Sequence, residues 1–152
     1  MTSYIDADPI LRNLWQGAEP PHGGVLRDAG FRLLVLSAEE IQPSREKFPG
    51  VVVIYAPNDD TLRPTLEQMR LAMRAARAVA KAVKRGTKTL VTCAMGRNRS
   101  GLISALALRE ITGCSGADAV KHVQKSRSDA LTNKTFANMV SALPPRENGV
   151  KR

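Results

Sequence analysis

Short apolar runs alternate with longer amphipathic stretches along this chain. Arg32–Leu36 (RLLVL), Val51–Ala56 (VVVIYA) and Thr89–Cys93 (TLVTC) are continuously apolar over strand length, as expected where both faces of a sheet are covered. Leu11–Gln16 (LRNLWQ) predicts an edge strand. Gly24–Ala29 reads as a short helix closed by Gly30. The longest helical pattern is Leu62–Arg85, opening near Thr61 with Pro64 in its first turn. Its apolar face is Leu66, Met69, Met73, Ala76, Ala80 and Val83, at steps of three and four. Ser100–Thr112, Ala117–Lys125 and Lys134–Leu143 read as further helices. Strands alternating with helices predict an α/β fold: a central, largely parallel sheet of about four to five strands flanked by helices.

Length fits one domain, since the chain has 152 residues and shows no internal repeat or linker. Residues 1–9 are expected to form an N-terminal arm, 10–143 the domain, and 144–152 a loose polar tail. No run approaches the ~18 apolar residues of a membrane span. Met1–Pro9 has neither a basic head nor an apolar core, so no secretory leader is expected there. Cys93 and Cys114 are too few for a disulfide framework and suit a reducing compartment; a cytoplasmic protein is expected.

The net charge of +9 favours anionic partners such as phosphate esters, nucleic acid or an acidic membrane surface. Arg70, Arg74, Arg77, Lys81 and Lys84 line the polar face of the long helix, either as a solvated surface or as a docking face for a polyanion. The six aromatic residues are not interleaved with basic ones, which argues against a base-stacking single-strand binder.

Candidate chemistry concentrates in Thr89–Gly101 (TLVTCAMGRNRSG). A strand ends at Cys93, a loop containing Gly96 follows, and a helix begins near Arg99–Ser100. Unpaired amides of such a loop, beside a helix N-terminus, make an anion nest. A thiol at its centre sits in a positive field that favours the thiolate. Arg99 can grip two phosphate oxygens with its planar fork. Asp59 and Asp60 follow the strand Val51–Ala56 and reach the same sheet end; one is the candidate proton donor. His22 and His122 lie far apart and Cys114 sits in a Gly-rich turn, so no metal-ligand cluster is read.

The pattern Cys93-(x5)-Arg99-Ser100, with Gly96 third after the cysteine, resembles the signature loop of the cysteine-based protein tyrosine phosphatases, in their dual-specificity branch. The resemblance spans roughly residues 10–143. Ile10–Gly17 is similar to the branch's opening strand, Ala56–Asp60 to its general-acid loop, and Lys125–Phe136 to the basic segment and Asn-x-x-Phe before its last helix. It implies a metal-independent, cofactor-free phosphatase acting on phosphorylated protein or peptide. Phosphotyrosine is the first expectation, with phosphoserine and phosphothreonine beside it. Cys93 would form a phosphocysteine; Ala94, Met95, Gly96, Arg97, Asn98 and Arg99 would bind the phosphoryl oxygens; Ser100 would hydrogen-bond the leaving sulfur. Alignment favours Asp59 over Asp60 as the acid.

Thr92 stands where the family usually has a histidine that orients the loop, and Ala94 and Met95 stand where inositide-selective relatives carry lysines. Arg97-Asn98-Arg99 is similar to the RNA 5′-triphosphatases of the same superfamily. An RNA 5′-phosphatase is therefore the first alternative, with nucleic acid the less favoured partner. A catalytically weak phosphate-binding module is the second.

Overall fold

A computed structural model describes residues 4–146 of the chain. Five strands form one sheet in the order β1-β2-β5-β3-β4: β1 (Ala7–Leu11), β2 (Leu14–Gly17), β3 (Leu33–Ala38), β4 (Val52–Asn58) and β5 (Thr89–Thr92). Only β1 and β2 pair antiparallel; β2, β5, β3 and β4 run parallel. The helices are α1 (Val25–Asp28), α2 (Leu66–Lys84), α3 (Arg99–Thr112), α4 (Gly116–Ser126) and α5 (Lys134–Ser141). This is the α/β architecture the patterning predicts.

The two-residue period of the strands divides the core in two. Val35, Val91, Ile54 and Ala56 face a cluster built with α2, α3, α4 and α5. Their neighbours Leu34, Leu36, Leu90 and Val53 face a smaller cluster with Leu26, Phe31, Phe48 and Trp15. Register keeps like with like: Leu34 pairs with Leu90 and Val53, and Val35 with Val91 and Ile54. Burial on both faces explains why these strands read as unbroken apolar runs.

Three expectations change. The predicted single edge strand is a hairpin, turned at Arg12-Asn13, where Asn13 takes the left-handed conformation (φ 70°) that asparagine tolerates. β2 therefore lies inside the sheet, and β1, with Pro9 on the edge where proline is tolerated, begins within the expected N-terminal arm. The long helix starts at Leu66 rather than near Thr61, because Thr65 and Gln68 form a reciprocal capping box at 3.1 and 2.8 Å. Its buried face is rotated from the predicted one. Ala72, Ala75, Ala76, Val79, Ala80, Ala82 and Val83 are covered, whereas Leu66 and Met73 are exposed, because small residues permit close approach to α3.

In the expected tail, Arg146 N donates to Gly113 O at 3.0 Å, and the side chain pairs with Glu110 at 3.3 Å. Residues 147–152 lie outside the described part of the chain. No helix among the described residues is long and apolar enough to cross a membrane.

Candidate active site

Parallel strands end together, and the loops leaving β3, β4 and β5 meet at their carboxyl ends. Cys93, 5% exposed, follows β5 directly, and its Sγ lies 3.2 Å from Ser100 Oγ in the first turn of α3. Beside it is a cavity of about 140 Å³ lined by Asp60, Cys93, Met95, Arg97, Asn98, Arg99 and Thr132.

The carbonyls of the loop after Cys93 are all taken, four from distant segments and the last by α3 itself. Ala94 O accepts from Glu19 N at 3.1 Å, and Met95 O from Arg127 Nη2 at 3.2 Å. Gly96 O accepts from Gln16 Nε2 at 3.0 Å and Arg127 Nε at 2.7 Å. Arg97 O accepts from Leu131 N at 3.0 Å, and Asn98 O from Leu102 N at 2.8 Å. A trans peptide carries its N–H opposite its C=O, so the amides of residues 95–99 turn inward. Among the described residues, those of 95–98 donate to no protein acceptor. The result is a run of unpaired N–H groups in a loop that lines the same cavity as Cys93, suited to an anion.

Arg99 lines the cavity as well. Nη1 donates to Glu40 Oε1 at 2.6 Å and Asn58 O at 3.1 Å, and Nη2 donates to Glu40 Oε2 at 2.8 Å. A guanidinium has five N–H donors. The two left over, on Nε and Nη2, are parallel on one edge, the geometry for a bidentate grip on a phosphoryl group. The hydrogen-bonded guanidinium pulls the Glu40 carboxyl down to about 2, and Glu40 in turn raises Arg99 above its usual value, with the charges of Cys93 and Asp60 adding.

Of the two candidate acids, the structure brings Asp60 to the cavity wall and not Asp59. Asp60 Oδ2 accepts from Asn98 Nδ2 at 2.9 Å and Oδ1 from Asn133 Nδ2 at 2.8 Å. Asp59 is exposed; its backbone amide bonds Asn58 Oδ1 at 2.9 Å and its side chain lies off the cavity wall. Thr92 is fully buried, and its Oγ1 donates to Val35 O at 2.8 Å, bracing β5 against β3. His122 Nε2 bonds Ile10 O at 2.7 Å, while His22 stacks edge-on against Phe48; both are structural.

Sequence reasoning missed Glu40, Gln16 and Arg127. Glu40 left no trace because it meets Arg99 across 59 positions. Gln16 did leave one: an amide side chain inside an apolar strand.

No protein-family model matches the sequence. Solved structures do. A mouse protein assigned as a dual specificity phosphatase, complexed with zinc tungstate, is 26% identical, with a TM-score of 0.76 over 88% of this chain and 83% of that one. A point variant of human DUSP28 is 26% identical, with a TM-score of 0.75 over 90% and 94%. Tk-PTP in its active form shares the fold at 23% identity, with a TM-score of 0.72 over 90% and 96%. The likeness covers most of the chain: it shares the fold of the dual-specificity phosphatases and is similar to that branch of the cysteine-based protein tyrosine phosphatase superfamily.

Proposed function

We propose that this protein hydrolyses phosphate monoesters on proteins, phosphotyrosine first and phosphoserine or phosphothreonine beside it, through a phosphocysteine. The reading rests on one observation: Cys93 and Arg99 line one cavity with a loop whose carbonyls are taken by protein donors while its amides, among the described residues, are not. The tetrahedral oxyanion in the mouse neighbour's structure is of the same chemical class as the group this loop suits.

In the first step the Cys93 thiolate attacks phosphorus, the P–S bond forms as the ester P–O bond breaks, and Asp60 delivers a proton to the departing oxygen. The loop amides and Arg99 carry the equatorial oxygens and the charge that grows on them. In the second step water attacks phosphorus and gives its proton to Asp60. The sulfur leaves as thiolate, stabilised by the Ser100 hydroxyl, and inorganic phosphate departs. Nucleophile, charge stabilisation and proton transfer all come from the chain, so the path calls for no metal.

Release of p-nitrophenol from p-nitrophenyl phosphate, with EDTA present, tests the reading. Turnover by the wild type that Cys93→Ser abolishes is the expected result. A folded wild type with no turnover between pH 5 and 8 would overturn it. The five cations of the α2 face are exposed and have no ion-pair partner among the described residues, which favours a polyanionic substrate as the second reading. Preference for triphosphate-ended RNA over phosphopeptide, weakening steeply with salt, is its signature.

A further inference from the structure

Gln16 breaks a local rule. It sits on β2 with the same facing as Leu14, its side chain fully buried between the sheet and α3. A buried amide is costly unless its groups are bonded. Yet among the described residues Gln16 Oε1 has no partner, and only Nε2 is used, on Gly96 O. An apolar residue of the same size would suit the core better; what the amide adds is the bond from Nε2 to Gly96 O.

Arg127 reaches that carbonyl from the other side. Its Nε shares Gly96 O, Nη2 takes Met95 O, and Nη1 is held by Asp6 Oδ1 at 3.2 Å and Asp8 Oδ2 at 3.0 Å. The arginine side chain is only 10% exposed although both carboxylates are about half exposed. All three of its nitrogens are occupied, so it has no edge to offer a ligand. Gly96 itself takes a left-handed conformation (φ 71°), the region from which glycine crosses readily to other conformations. A loop pivoting on such a residue can turn its peptides over, and each turned peptide would present a carbonyl to the phosphoryl oxygens.

We infer that Gln16 and Arg127 are positioning residues for the phosphatase reaction: by gripping the Gly96 and Met95 carbonyls from behind they keep the Gly96 and Arg97 amides aimed at the bound anion. This rests on the phosphatase reading. Neither side chain touches the anion; both act through the loop. Asp6 and Asp8 hold the arginine in the pose that does so, which ties the strand at the sheet edge to the geometry of the site.

Gln16→Leu separates this role from a structural one. It removes the grip and also the unpartnered oxygen, so the melting temperature holds or rises. Meanwhile kcat for p-nitrophenyl phosphate falls on the order of tenfold to a hundredfold, less than the roughly 10²–10³-fold lost when an oxyanion donor itself is removed, with KM changing far less. Sodium tungstate, titrated by calorimetry, binds correspondingly more weakly. Arg127→Lys keeps the charge but cannot reach two carbonyls, and shows the same split. Its partial recovery relative to Arg127→Met supports the proposal. If Gln16→Leu retains kcat and tungstate affinity within about twofold while Cys93→Ser is dead, the positioning role is wrong and the phosphatase reading stands. If the wild type binds tungstate without turnover and Gln16→Leu weakens that binding, the positioning stands and the hydrolytic reading falls. A wild type that neither binds tungstate nor turns over overturns both.

Discussion

Asn98 Nδ2 donates to Asp60 Oδ2 at 2.9 Å, joining the loop after β5 to the loop after β4. Asn98 Oδ1 meanwhile accepts from Asn133 N at 2.8 Å and Thr132 Oγ1 at 3.3 Å, so the carboxylate is placed by the same residues that start α5. Asp60, the acid of the proposed mechanism, is thus docked on the loop that follows Cys93.

Removal of that acid should depend on the leaving group. Asp60→Asn is expected to slow release of an alkoxide such as phosphoserine by roughly 10²–10⁴-fold, the usual range for a general acid. p-Nitrophenolate, which needs less help, should suffer less. Asp59→Asn should stay within about twofold on both substrates. The reverse pattern, in steady-state assays of the two variants, would return the role to Asp59.

Glu40→Gln removes the charged anchor behind Arg99 while keeping its shape. A guanidinium free to rotate loses its orientation, and kcat/KM should fall on the order of tenfold to a hundredfold. There is also a stability signature. Glu40's folded value, about 2, lies below the model-compound value of 4.5, so its contribution is fully present above 4.5 and is lost as pH falls toward 2. Its side chain is 51% exposed, and after solvent screening the contribution is about 1 kcal/mol at most. Acid titration of stability should show that loss in the wild type and not in Glu40→Gln.

Gly96→Ala is expected to damage both activity and fold. A Cβ there would stand 2.5 Å from Gly17 C and 2.7 Å from Ala18 N, both backbone atoms that cannot swing aside, and φ is 71°. Left-handed strain alone costs about 1–3 kcal/mol. Denaturant unfolding together with tungstate titration would detect the two losses.

Ser100→Ala should divide the two chemical steps. The hydroxyl, 3.2 Å from the sulfur, is needed most when sulfur is the leaving group. Rapid-quench kinetics should show a burst of p-nitrophenol followed by slow turnover; a uniformly slow, burst-free course would assign Ser100 to the first step instead.

Far from the site, Thr65→Ala removes the capping box of α2 and should cost about 1 kcal/mol. For a domain of this size that is a drop of roughly 2–5 °C in Tm, with kcat unchanged.

What the sequence determined by itself is local. The strand Thr89–Thr92, the loop pivoting on Gly96 and the helix beginning at Arg99 lie within a few residues of one another, so cysteine, anion nest and arginine could be read from spacing. Continuous apolar runs likewise announced a sheet covered on both faces. Tertiary structure decided the rest. Glu40, Gln16 and Arg127 reach the loop across 59, 80 and 31 positions, the first two through the parallel register that brings strand ends together and the third from the end of α4. Asp59 and Asp60 are neighbours of identical chemistry, and spacing could not separate them. Asn98 and Asn133, from the loop after β5 and the start of α5, hold Asp60 at the cavity wall by hydrogen bonds to its carboxylate, contacts between distant segments that spacing along the chain does not show.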